Sequence, residues 1–255
     1  MSKKQRLIRN YIIMIASPVI VLGLWEILGR HGYLNTSIMP TPSRIGKKFI
    51  ELVAEGKLQK HVLVSAKRVL WGFIYGSVAG IVLGILMGQF EVINKAFAVF
   101  VGALRPIPMI GWVPLLILWF GLGESSKIII IAMSSFWSLL INTIDGFGHI
   151  DRKYLEVSRI MEKNKLDTII HIVIPSIFPS VFTGIRLGFG NAWRGVVAAE
   201  MIAASSGIGY MISAARELFR PAELMVGLLA IGLICLLIDT VILRIQKYVF
   251  RWNGD

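Results

Sequence analysis

Three uncharged runs decide what this chain can become. Val69–Phe90 carries no Asp, Glu, Lys or Arg over 22 positions, Pro106–Gly123 none over 18, and Ile128–Ile144 none over 17. At about 1.5 Å of rise per residue, roughly 20 apolar residues cross the hydrocarbon core of a bilayer. A water-soluble domain would have to bury several such helices on every side within 255 residues. Composition argues the same way: 55% of the residues are hydrophobic and only 16% charged, where soluble domains average about 25% charged. Lipid leaves no water to satisfy backbone groups, so each apolar segment must close its own hydrogen bonds as a helix. The sequence predicts an all-α integral membrane protein.

Six spans are expected: Tyr11–Gly29, Val69–Phe90, Ala96–Phe120, Ile128–Ile144, Ser176–Ala199 and Leu224–Leu243. The leader "MSKKQRLIRN" resembles the basic start of a signal peptide, but the apolar stretch is long and no small-residue cleavage site follows it. An uncleaved anchor with its N-terminus inside is the reading. An even number of spans then places the basic C-terminal tail inside too. On that topology 13 Lys/Arg lie inside and 11 outside, with Arg105, Arg186 and Arg194 in the membrane. The positive-inside rule is only weakly served by this split; the basic leader and tail carry the orientation. The net charge of +12 requires no nucleic acid, because these cations flank spans where anionic headgroups attract them. Cys235 is the single cysteine, which rules out an intramolecular disulfide.

Between the fourth and fifth spans stands a charged insert, Asp145–Pro175, which this topology makes cytoplasmic. Leu155, Val157, Ile160 and Met161 suit one short amphipathic helix, and Leu166, Ile169, Ile170 and Val173 recur on the face of a second. The polar Glu162–Lys165 suits a break between them, and Pro175 a first helical turn at re-entry. Such a knob can lie on the headgroups. It can equally seat its apolar face in a partner's groove.

This insert resembles the cytoplasmic loop of permease subunits in binding-protein-dependent ABC importers. Glu156, Val157 and Ser158 stand in the family's Glu-Ala-Ala places, and Ile172–Pro175 in its Ile-x-Leu-Pro place, with Glu162 where the family has Gly. The stretches "LRPIPMIGWVPLLILWFGLGESSKI", "LGFGNAWRGVVAAEMI" and "SSGIGYMI" are similar to the permeases for nitrate, taurine and aliphatic sulfonates. The resemblance implies six transmembrane helices with a cytoplasmic coupling helix between spans four and five. It implies a homodimer of the chain, two cytoplasmic ATPase subunits holding ATP–Mg, and an extracytoplasmic binding protein. It implies a place in the cell membrane with both termini cytoplasmic. Residues 1–68 would be an anchor span plus an outer amphipathic segment, and residues 69–255 a five-span core with coupling loop 145–175. Glu156, Val157, Ser158, Ile160, Met161, Glu162, Leu166 and Pro175 are the expected coupling residues.

No cofactor of its own is expected for the chain. The nearest phosphate-loop look-alike, "GLGESSK", lacks the glycine that precedes the lysine, and the four histidines are scattered. ATP hydrolysis therefore belongs to a partner. The translocated solute is expected to be a small anion, such as a sulfonate, taurine or nitrate. Arg105, Pro106, Pro108, Trp112, Arg186, Asn191, Arg194 and Glu200 are the candidates for its path. The prolines can equally kink a packing helix, and the arginines can equally pair internally with Glu200 or Asp239. Guanidinium suits oxyanions because its donors form a planar fork. Gly72, Gly76, Gly80, Gly84 and Gly88 recur every four residues, a row that predicts a close helix–helix contact. In Arg30–Arg68 a proline-marked turn precedes an amphipathic helix with Ile45, Phe49, Leu52 and Val53 on one face. That helix can rest on the membrane or touch the binding protein. A secondary carrier driven by an ion gradient is the alternative function, though it would usually show internal repeats.

Overall fold

A computed structural model describes residues 3–249, apart from 152, 154, 155, 157, 159, 162 and 163; the side chains of 3–15, 165, 166 and 203 also fall outside the description. The described elements are α1 (Lys3–Arg30), α2 (Pro42–Ala54), α3 (Lys57–Gln89), α4 (Glu91–Leu104), α5 (Met109–Phe120), α6 (Glu124–Gly148), α7 (Lys165–Thr168), α8 (Ile174–Ala203), α9 (Ile208–Glu217) and α10 (Pro221–Val249). A π-helical turn, Ile169–Val173, joins α7 to α8.

Among the described residues α3, α6, α10 and Ile169–Ile202 are each long and apolar enough to cross a membrane. Helices α4 and α5 pass that test only together, and they are bent by 102° at their junction. The sequence pattern suggested one span over Ala96–Phe120; the chain instead breaks at Arg105–Pro108. Pro106 and Pro108 each lack an amide donor, so the helical hydrogen-bond ladder cannot run on through them, although Arg105 itself still has helical dihedrals (φ −56°, ψ −42°). At 14 and 12 residues, each half reaches only about 20 Å, short of the roughly 30 Å hydrocarbon core. Helix α3 starts at Lys57, well before the charge-free run at Val69, and continues through Arg68 unbroken.

The chain forms two compact units: Met1–Lys60 with Met211–Ala230, and His61–Tyr210 with Ile231–Asp255. In the first, Glu26 of α1 accepts hydrogen bonds from the Ser43 amide (2.9 Å) and hydroxyl (2.7 Å), which fixes the first turn of α2. That turn has unpaired amides to offer, and a carboxylate suits the positive end of a helix. Of the predicted apolar face of α2, Ile45 and Leu52 are buried and Phe49 partly so, while Val53 is exposed.

In the second unit α6 runs between α3 and α8, and glycines set both contacts. The α3 row meets α6 at Ile131, Ala132, Ser135, Phe136, Leu139, Thr143 and Phe147. A Cβ at Gly80 would lie 2.7 Å from the Phe136 carbonyl oxygen, so backbone itself occupies the space. The contact predicted from the sequence is thus made within one chain. Gly184 and Gly188 of α8 perform the same service on the other flank, against Leu139 and its neighbours. Ser134 and Thr143 return their hydroxyls to the carbonyls four residues back, at 2.8 and 2.6 Å, so the polar atoms of this central helix stay satisfied.

Candidate functional site

The bend at Arg105–Pro108 and the flank of α8 enclose a cavity of about 580 Å³ in the second unit. Arg105, Ser134, Ser138, Asn142, Asn191 and Arg194 supply its polar lining, and Pro108, Ile110, Trp137, Ile141 and Leu187 apolar walls. No carboxylate stands among the described residues that line it. Asn191 donates from Nδ2 to Ser138 Oγ (2.6 Å) and accepts from Arg194 Nη2 at Oδ1, so α6 orients the arginine through a neutral amide. A guanidinium has five donors. Held this way, Arg194 keeps most of them for something else.

The other predicted path residues sort differently. Pro106 lies in the bend but outside the cavity lining. Trp112 packs against the cluster formed by Val113, Leu116, Ile130 and Ala199. Arg186 binds Asp239 of α10 in a fork, Nε to Oδ1 at 2.6 Å and Nη2 to Oδ2 at 3.0 Å. Glu200 is 1% exposed and belongs to a second ionic group altogether.

That group gathers around Arg68 of α3, itself 6% exposed. Arg68 donates from Nη1 to Glu200 (2.8 Å) and to the Ser206 carbonyl (2.6 Å), and from Nε and Nη2 to both oxygens of Glu124 (2.7 and 2.6 Å). Lys127 reaches Glu124 at 2.9 Å. Glu200 also accepts from Ser65 Oγ and from the Gly209 amide at 3.0 Å. The loop before α9 is moulded around this carboxylate: Gly207 has φ +113°, and a Cβ there would strike the Glu200 carboxyl group. Every charge in the group has an opposite partner. The sequence counted Arg68 among the cations outside the membrane and left Arg186 and Arg194 free to pair with Glu200 or Asp239; the structure pairs Arg186 with Asp239 and Glu200 with Arg68. Ser65 and Arg68 face Glu200 across 132 to 135 positions of chain, and no local spacing signals that.

In the insert, Lys153, Glu156, Ser158 and Ile160 are helical, and Met161 is in a turn. Val157 and Glu162 lie outside the described residues, as does the side chain of the helical Leu166. Ser158 is buried and its hydroxyl meets Thr168 Oγ1 at 2.6 Å, tying this first turn to α7. Asn164 caps α7 by accepting from the Asp167 amide at 2.7 Å. Pro175 sits in the first turn of α8. Glu156 points outward, and Ile160 (81%) and Met161 (63%) are exposed.

Residues 77–253 match the family described as the binding-protein-dependent transport system inner membrane component. The chain belongs to this family. It is 33% identical over 238 residues, 93% of this chain and 86% of the other, to a putative aliphatic sulfonates transport permease of Bacillus subtilis. A nitrate import permease of Synechocystis is 30% identical over 239 residues, covering 90% of this chain and 86% of that protein. A putative ABC transporter permease of Methanocaldococcus jannaschii reaches 36% over 251 residues, 96% and 93% of the two chains. The fold is that of the inward-facing MetNI methionine ABC transporter, with a TM-score of 0.61 over 78% of this chain and 97% of that one at 16% identity. The protein is thus a multi-pass permease subunit of an ABC importer, and ATP hydrolysis lies in a separate subunit. No relative among these supports the carrier alternative.

Proposed function

We propose that the cavity lined by Arg105, Asn191 and Arg194 is the solute path, and that the solute is a small oxyanion of the sulfonate, taurine or nitrate class. One observation carries this reading: the cavity holds two arginines and no carboxylate among its described lining residues. An anion entering it meets donors already oriented, at no cost in breaking an internal ion pair. Relatives named for sulfonates and nitrate agree in chemistry. Arg186, Glu200, Pro106 and Trp112 leave the path in this proposal; Arg105, Pro108, Asn191 and Arg194 remain.

The working assembly in this proposal is a homodimer with two ATPase subunits and an extracytoplasmic binding protein. Each chain has six spans, with α1 as the first and the bent α4–α5 pair as the third, and both termini are cytoplasmic. The insert is the coupling element, with Glu156, Val157, Ser158, Ile160, Met161, Glu162 and Leu166 as its coupling residues and Pro175 where the chain re-enters the membrane. Exposed Ile160 and Met161 would seat in the ATPase groove. ATP-driven closure of the ATPase pair would then move α7 and α8 as one lever. The test is ATP-dependent uptake of radiolabelled taurine, alkanesulfonate and nitrate by proteoliposomes of the whole complex. Arg194→Gln should cut anion uptake roughly 10- to 100-fold while ATPase subunits still co-purify. Wild-type uptake of a neutral solute that survives Arg194→Gln would sink the anion reading. Ile160→Lys should instead release the ATPase, and an intact complex in that variant would refute the docking claim.

A further inference from the structure

The first unit holds a second cavity, of about 610 Å³, that the transport reading does not use. Arg44, Lys47 and Lys48 of α2 and Arg220 before α10 line it, against two carboxylates, Glu51 and Glu223. Lys48 is taken up by Glu51 at 2.7 Å, and Arg220 stands 3.8 Å from Glu223. Arg44 and Lys47 have no carboxylate partner among the described residues, and both are exposed. The cavity therefore has a surplus of positive charge aimed at whatever fills it.

Its surroundings say what that is. The cavity opens where α10 begins and where Glu26 of α1 holds the first turn of α2. Along these helices the apolar side chains are exposed: Leu24, Ile27 and Leu28 on α1, Leu228 and Leu229 on α10. Phe219, in the cavity wall, is 92% exposed. It also has φ +52°, at the end of α9 where the Arg220 amide closes on the Ala215 carbonyl oxygen (2.8 Å). Glycine is usual at that position. A phenylalanine held there against its backbone preference displays its ring beside four cations. Guanidinium and ammonium groups clustered at the end of a membrane-crossing helix make charge-assisted hydrogen bonds to phosphate, and aromatic rings settle at the headgroup level of either face of the bilayer.

We infer that this cavity binds the phosphate of an anionic phospholipid, with Arg44 and Lys47 as its principal contacts and Phe219 among the first acyl carbons. An acidic loop of the binding protein would satisfy the charges equally. It would not account for the exposed apolar side chains of α10, Leu228 and Leu229, that follow the lining residues Pro221, Ala222 and Glu223.

The whole complex is placed in nanodiscs of phosphatidylcholine with graded phosphatidylglycerol, and the lipids it retains on release are counted by native mass spectrometry. Retention of phosphatidylglycerol over phosphatidylcholine is expected, weakening as salt rises. R44Q/K47Q should retain it roughly 30-fold less well. R44K/K47R, which keeps both charges, should behave as wild type and guards against a folding defect. Unchanged preference in R44Q/K47Q overturns the assignment. So does a double variant that keeps its phosphatidylglycerol and loses affinity for the binding protein, which would make the surface a protein-docking site.

Discussion

Arg68 and Arg194 sit on the same helical framework and serve opposite ends. Glu200, the partner of Arg68, stands six residues beyond Arg194 on α8, a rise of about 9 Å. Arg68 is enclosed by two carboxylates, a carbonyl and a serine, and both carboxylates are bonded in turn. Arg194 is steered by an amide, beside a cavity with no carboxylate in its described lining. A carboxylate neutralises a buried arginine and converts it into a structural tie. An amide aims the arginine and leaves its charge unspent. The partner separates the brace at Arg68 from the binding group proposed for Arg194.

The comparison breaks most readily at Arg68. Arg68→Met leaves the Glu200 carboxyl buried and without its counter-ion, a situation that costs about 3–5 kcal/mol. The expected result is a large drop in the thermal unfolding midpoint of the purified protein. Arg68→Met with Glu200→Gln replaces the stranded carboxyl by a neutral amide and should recover more than half of that loss. Wild-type stability in the single variant would mean the group is no brace. Arg194→Gln should show the reverse profile. Its stability should stay within about 0.5 kcal/mol of wild type, while anion uptake falls roughly 10- to 100-fold, the worth of a charged hydrogen bond of about 1.5–3 kcal/mol. Gly207→Ala tests the loop built around Glu200. The φ of +113° and the carboxyl group in the way together should cost about 1–3 kcal/mol, with solute selectivity unchanged.

How far the sequence foretold this depends on the range of each interaction. The glycine row at positions 72 to 88 announced its contact because a helix repeats every 3.6 residues, so one face is visible in one segment. The cavity was half legible. Arg105, Asn191 and Arg194 were charged or polar in apolar surroundings, whereas Ser134, Ser138 and Asn142 looked like ordinary residues of a tolerant span. The brace was hidden. Arg68 lies at the edge of an uncharged run, where flanking cations are commonplace, and its partner is remote in sequence. The break at Arg105–Pro108 was present as three prolines near one another. What the sequence alone could not supply was the angle, since prolines permit either a kink inside one span or a turn between two helices.

The Arg186–Asp239 pair falls between the two cases and predicts the smallest effect. Like Arg68, Arg186 has a carboxylate in a forked pair. Like Arg194, it is not enclosed, with its side chain 33% exposed and that of Asp239 46%. If the partner alone decides an arginine's role, Arg186 is a tie between α8 and α10, and breaking it should leave uptake intact. If exposure decides, it belongs with the cavity arginines. Asp239→Asn separates these, because it frees the guanidinium and keeps a neutral acceptor of the same shape in front of it. The expected change in stability is within about 1 kcal/mol, since half-exposed pairs contribute little, and anion uptake should match wild type. A rise in anion affinity in this variant would show that the freed guanidinium can reach the solute. The rule drawn from Arg68 and Arg194 would then have to include access as well as partner.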